Sequence, residues 1–230
     1  MSLNNFLLAA VSLTLTACNA TKGSGNKITE ERKVDDFSAI SLDCSVDLTV
    51  EVGPEKSVSV WADDNLIDMV TTRVSGGQLI IDMEGNYMTS GGLKATVTLP
   101  ELKSITNTGS GDITVVNPSS PTFTATLSGS GDLLLENLES ESFTATVAGS
   151  GNLLAKGKVE TLDATLSRSG DLDTGLTFCK NARAVNSGSG DLKVNASKTL
   201  DATLSGSGGI SSIGKAKVTS NVTGSGKLTE

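Results

Sequence analysis

The chain has 230 residues, with 18 Lys and Arg against 26 Asp and Glu, and a formal net charge of −8. That acidity argues against nucleic acid and anionic lipid surfaces as partners. Histidine is absent and aromatics make up 3 % of the chain, which removes the commonest general base and metal ligand and favours a thin fold of small side chains over a thick sandwich core.

Residues 1–17 contain an apolar run from Phe6 to Ala17. It is too short to cross a bilayer and has the form of a signal-peptide core. The run closes on Leu15-Thr16-Ala17-Cys18, although no Lys or Arg precedes it. This resembles the bacterial lipobox, in which the cysteine is lipidated and becomes the mature N-terminus. Cys18 is therefore expected to carry a membrane anchor. The competing reading is an ordinary secretory signal with an incidental cysteine. Asn19, where an aspartate would favour inner-membrane retention, points to the outer membrane. Residues 18–32 then read as the lipidated cysteine and a flexible polar tether.

Residues 33–105 are β-rich but irregular. Val46, Leu48 and Val50 alternate with polar residues, as do Val58 and Val60, and Leu79–Met83 and Ala95–Leu99 are further strand candidates. Asp63 to Val74 is the exception and predicts a short helical turn with Asp63 or Asp64 as N-cap. This half reads as the opening coils of one solenoid with loop insertions, and a separate small β-domain is the alternative.

From residue 106 a repeat takes over. Gly-Ser-Gly followed by Asp or Asn occurs at 109–112, 129–132 and 149–152 and returns, with variation, in four more copies at 168–171, 188–191, 206–209 and 224–227, so that the final residues fall at 112, 132, 152, 171, 191, 209 and 227. A period of 18–20 residues over half the chain signals a repeat architecture. The second glycine is constant (Gly111, Gly131, Gly151, Gly170, Gly190, Gly208, Gly226), whereas Arg168 replaces the first in the fourth copy. The second glycine is thus expected to hold a positive φ and the first only a tight bend.

Ahead of each turn, apolar residues alternate with Thr, Ser, Asp and Asn, as in Phe123-Thr-Ala125-Thr-Leu127, and an Ile or Leu follows the turn. This is the two-residue period of a strand. One unit cannot bury its apolar face alone, so units must stack, at about 4.8 Å each. The prediction is an all-β fold, a single-stranded right-handed parallel β-solenoid (β-helix) with about 20 residues per coil. Cys44 and Cys179 read as two separate small core residues, with a disulfide as the alternative.

Stacking predicts a corner ladder of Asp112, Asp132, Asn152, Asp171 and Asp191. Neighbouring carboxylates at ~4.8 Å would repel by about 0.9 kcal/mol in water. Hydrogen bonding to backbone N–H groups at the turn relieves this. Calcium is the alternative, but Asn152, Gly209 and Lys227 interrupt the run, so no metal or cofactor is expected. Asn107 and Asn186, at inward positions, are expected to cap backbone groups. The outward Thr124, Thr126, Thr144 and Thr146 form a flat array that fits a glycan or protein surface; ice binding is a further reading, which Arg183 interrupts. No nucleophile elbow, P-loop or zinc signature is present.

The lipobox, the segment Val34-Asp35-Asp36-Phe37-Ser38-Ala39-Ile40 and the serial GSGD turns together resemble the auto-transporter adhesin family with the head GIN domain, over roughly residues 33–230. The resemblance implies a β-helix similar to the pectin-lyase-like solenoids, a role in cell adhesion, no catalytic residues and a trimeric homo-oligomer. The functional expectation is a non-enzymatic cell-envelope lipoprotein, anchored by lipid in the outer membrane, that offers flat faces to a glycan or protein partner. The rivals are a periplasmic structural or sensing module and a carbohydrate-active β-helix enzyme.

Overall fold

The computed structural model describes residues 20–230; residues 1–17, read above as a signal peptide, and Cys18 lie outside the described residues. The described chain is all β apart from one 3-10 turn, and it forms a parallel β-solenoid of about six turns. Strands leading into each GSG turn stack in parallel: Ser104–Asn107 pairs with Thr122–Leu127, which pairs with the end of Leu133–Val147. Strands leaving the turn do the same, with Ile113 beside Leu133, Leu153, Leu172, Leu192, Ile210 and Leu228 in succession. From Leu133 onward one long strand runs from the exit side, across a register shift, to the next approach side. The shift absorbs the differences in repeat length without breaking either ladder.

The alternation expected from the sequence fills the interior. Ile40, Ile105, Ala125, Ala145, Ala164, Ala184 and Ala202 are buried in one column. Phe123 and Phe143 stack one coil apart, with centroids 6.0 Å from each other.

The first half belongs to the same 17-stranded sheet, in an order the sequence does not display. Ala39–Leu42 and Asp47–Val52 form the coil beneath residues 104–116, although about 65 residues separate the aligned positions. The intervening chain drops below them. Gln78–Met83 and Lys94–Leu99 make a lower coil in parallel register with Ala39–Leu42 and Asp47–Val52. Val70–Ser75 and Ser57–Asp63 then add antiparallel to its strands and close this end.

Two local expectations are corrected. The polar stretch up to residue 32 is no free tether: Thr21–Lys22 pairs with Tyr87–Met88, and Lys27–Glu31 runs antiparallel to Ser57–Asp63. Buried Asp63 is the reason. Its carboxylate accepts hydrogen bonds from the Thr89 hydroxyl, from Lys27 Nζ at 2.9 Å and from the Gly25 N–H at 2.8 Å. Lys27 also donates to the Gly92 carbonyl and lies 4.8 Å from the Trp61 ring centroid. A buried carboxylate needs this compensation, and the polar segment supplies it. The helical turn exists as Ile67–Met69, but its N-cap is Leu66 without a side-chain bond, because Asp63 is engaged elsewhere.

The Thr89 hydroxyl, followed by Lys27, pulls the Asp63 carboxyl from its ordinary 3.8 down to about 2. A depressed folded value stabilises above the unfolded value and is lost as pH falls through the folded one. The clamp on residues 21–31 is therefore expected to loosen between about pH 4 and pH 2. Hydrogen exchange at Lys27–Glu31, followed through an acid titration, should show this opening. Asp63→Asn should remove the pH dependence, and an unchanged profile in that variant would refute the assignment.

Candidate interaction surface

The GSG corner is built by stacking, and this corrects the reason expected for its glycines. Positive-φ glycines occur at Gly25, Gly76, Gly77, Gly85, Gly92 and Gly157, and none of them belongs to the seven repeated turns between residues 109 and 227. What excludes a side chain is the coil beneath. A Cβ on Gly131 would stand 2.1 Å from the Gly111 carbonyl oxygen, and one on Gly129 would stand 1.9 Å from the Gly109 oxygen. Both glycine positions therefore face the same exclusion. Arg168 stands at the first position of the fourth copy, and nothing in the structure explains that exception.

The same geometry reveals a copy of the motif that the sequence reading missed. Gly109 and Gly111 stack on Cys44 and Val46, so Cys44-Ser45-Val46-Asp47 is the first GSGD turn with both glycines replaced. Beneath it the chain makes the long 84–93 connection instead of a stacked turn, so side chains are tolerated there. The detectable signal was Ser and Asp at the motif spacing just before Leu48.

The polar corner residues align one coil apart. The Asp132 N–H donates to Asp112 Oδ1 at 2.8 Å, Asn152 to Asp132 at 2.8 Å, Asp171 to Asn152 at 3.0 Å and Asp191 to Asp171 at 2.8 Å. The ladder extends to Asp47 below, which accepts from Asp112 at 3.3 Å, and to Gly209 above, which donates to Asp191 at 2.7 Å. In return, the carbonyls of Asp132, Asn152, Asp171 and Asp191 accept the N–H of Ile113, Leu133, Leu153 and Leu172 in the coil below. Each corner residue thus stitches its neighbour in both directions. A charge-assisted bond to an N–H offsets the stacking repulsion. Among the described residues no three His, Cys, Asp or Glu side chains converge as a metal site.

Asn107 and Asn186 brace the corner from inside. Both are fully buried, and their Nδ2 groups donate to the Gly111 and Gly190 carbonyls at 2.8 Å. Their Oδ1 atoms accept the N–H of Gly109 and Gly188.

Beside the ladder run the outward side chains Thr114, Leu134, Leu154, Asp173 and Lys193. They leave two open depressions of about 390 and 250 Å³ against the acidic corner. Asp173 accepts from Lys193 Nζ at 3.0 Å and, with Asp171 and Asp191 adding attraction, holds that ammonium above its usual range. On the approach sheet Thr126, Thr146 and Thr165 stand in register, as do Thr124 and Thr144. Arg183 continues the second row and pairs with Asp163 at 3.3 Å. These are shallow, extended surfaces rather than a pocket that engulfs a small molecule.

Cys44 and Cys179 are both free and buried in different coils, so the disulfide alternative is not realised. Burial pushes each thiol up to about 11.

Solved structures share this architecture. A putative adhesin from Bacteroides fragilis NCTC 9343 superposes with a TM-score of 0.87 at 20 % identity, covering 91 % of this chain and 99 % of that one. A protein described as a putative lipid binding protein from Parabacteroides distasonis ATCC 8503 gives 0.77 at 24 % identity, covering 92 % and 99 %. A putative adhesin from Parabacteroides merdae ATCC 43184 gives 0.66 at 20 % identity, covering 92 % and 98 %. At such identities the likeness shows the fold alone. A comparison with curated proteins finds no match. Residues 36–216, well over half of the chain, match the family described as "putative auto-transporter adhesin, head GIN domain", and the chain belongs to that family.

Proposed function

We propose that this protein is a non-enzymatic cell-envelope lipoprotein that acts as an adhesin-like module, presenting flat solenoid faces to a glycan or protein surface. The observation that carries the reading is the register-matched threonine face beside the stitched corner, an extended surface to which three successive coils contribute Thr124 and Thr126, Thr144 and Thr146, and Thr165. The family's adhesin description supports it, and so does the lipobox ending in Cys18. With Thr21–Lys22 already in a strand, the folded body starts three residues after that cysteine. An anchor there holds the solenoid close to the membrane, and its faces rather than a long reach make the contact.

Protease shaving of intact cells tests this. Residues 33–230 are expected to be cleaved along with known surface lipoproteins, and Cys18→Ser should move the protein out of the membrane fraction. Protection of the solenoid while surface lipoproteins are cleaved would replace adhesion with a periplasmic structural or sensing role.

A further inference from the structure

The side of the solenoid that returns from exit strand to approach strand inverts the polarity rule in one coil. Within Leu172–Asn186, burying Leu176 and Phe178 would follow the usual preference for apolar interiors. Instead Thr174 and Thr177 are fully buried, and their hydroxyls donate to the Lys193 and Ala155 carbonyls at 2.6 and 2.9 Å. Leu176 and Phe178 point outward, 55 % and 59 % exposed. A register shift between Thr174 and Phe178 accommodates the inversion. Two coils further on, Ile213 is also exposed, and its Cδ1 lies 2.7 Å from where a side chain on Gly175 would begin. Leu176, Phe178 and Ile213 therefore border one apolar patch around the bare Gly175. A local rule broken without a packing gain marks a surface kept for something else.

The patch has a basic frame. Lys156 and Lys158 lie opposite Leu176 and Phe178 in register, Lys180 follows Phe178 in the outward row, and Lys215 and Lys217 follow Ile213. Residues 174–180, 194–199 and 213–218 contain no Asp or Glu. Lys156 and Lys180 pair with Glu136 and Glu160, whereas Lys158, Lys198, Lys215 and Lys217 have no ion pair among the described residues. Two further acids stand at the margins: Glu139, in register with Lys158, and Asp173, whose Oδ1 accepts the Gly175 N–H at 2.9 Å and whose charge is paired with Lys193. The chain's net charge of −8 therefore misdescribes this side. The acidic ladder occupies another corner, and salt screens charges beyond about 8 Å.

We infer that this face docks on an anionic membrane interface. Exposed Leu, Phe and Ile side chains enter the boundary between headgroups and acyl chains, while lysine stems lie along it and place their ammonium groups at the phosphates. The patch projects side chains outward and offers no deep pocket. A bilayer needs no matching anchor, whereas a tight protein partner would.

The test uses the full chain carrying Cys18→Ser, so that no acyl group contributes, in co-sedimentation with vesicles. Binding is expected to phosphatidylcholine vesicles containing phosphatidylglycerol, to weaken at high salt, and to be lost on pure phosphatidylcholine. Phe178→Ser should weaken it about tenfold, and Lys215→Glu about fivefold or more. Both positions are exposed, and an unchanged circular dichroism spectrum confirms that the coils persist. Equal binding by wild type and both variants would overturn the proposal, as would no sedimentation with either vesicle. Retention on soluble polyglutamate without vesicle binding would instead make the face a docking site for an acidic chain, which also overturns it.

Discussion

Gly131→Ala is expected to lower stability by about 3 kcal/mol, the upper part of the usual range for forcing atoms into a packed interior. A Cβ there would sit 2.1 Å from the Gly111 oxygen, and that oxygen belongs to backbone held by the coil below. Relief requires two stacked turns to separate. For a domain of this size the midpoint of thermal unfolding should fall by roughly 6–12 °C. Gly129→Ala should fall with it, since its Cβ would meet the Gly109 oxygen at 1.9 Å. Gly77→Ala provides the contrast: Gly77 has a φ of 76° and open space around the Cβ, so only about 1 kcal/mol of backbone strain is at stake. Denaturation midpoints for the three variants decide the matter. A Gly131 variant no worse than the Gly77 variant would show that the coils separate easily and that close stacking is not what the glycines serve.

Asn186→Ala is expected to cost a similar amount, about 3 kcal/mol, by leaving buried backbone groups without partners. The side chain donates to the Gly190 and Gly209 carbonyls at 2.8 and 2.9 Å and accepts the Gly188 N–H at 2.9 Å. In a leucine-bearing coil the equivalent N–H reaches the coil below, as Gly206 does to the Asn186 carbonyl at 3.2 Å. Asn186→Leu separates the two contributions. Leu166 and Leu204 occupy the same column on either side, so leucine fits the space and loses only the hydrogen bonds. It should recover part of the alanine loss and remain below wild type in urea. A leucine variant as stable as wild type would mean that column packing outweighs the bracing of the turn.

Much of the repeat half was legible in the sequence. The alternation of Phe123, Ala125 and Leu127, copied every 18–20 residues, specifies an inward face and a stacking direction because side chains alternate across a strand and no single unit can bury its face. The corner ladder from Asp112 to Asp191 followed from the period alone, and so did the inward bracing by Asn107 and Asn186. The physical role of the glycines did not. Composition distinguishes a residue that lacks a side chain but not why one is forbidden, and the structure replaces a conformational reason with a contact between coils.

The first half depended on tertiary structure. The coil of residues 39–52 lies beneath residues 104–116, and the chain between them dips under both. No period announces such a detour, because loop closure costs little more for a long insertion than for a short one and leaves no pattern. Lys27–Glu31 reads as tether from its composition and is a strand because the buried Asp63, 36 residues away, needs the Lys27 ammonium beside it. The outward turn of Leu176 and Phe178 was likewise invisible, since a register shift reverses which alternate residues face the core and the alternation itself cannot record it. What the sequence by itself determined was the repeating unit, its inward face and its polar corner, all consequences of local periodicity. Only the tertiary structure decided which coil lies on which, why the turns exclude side chains and where apolar groups are left outside, because those depend on contacts between segments far apart in the chain.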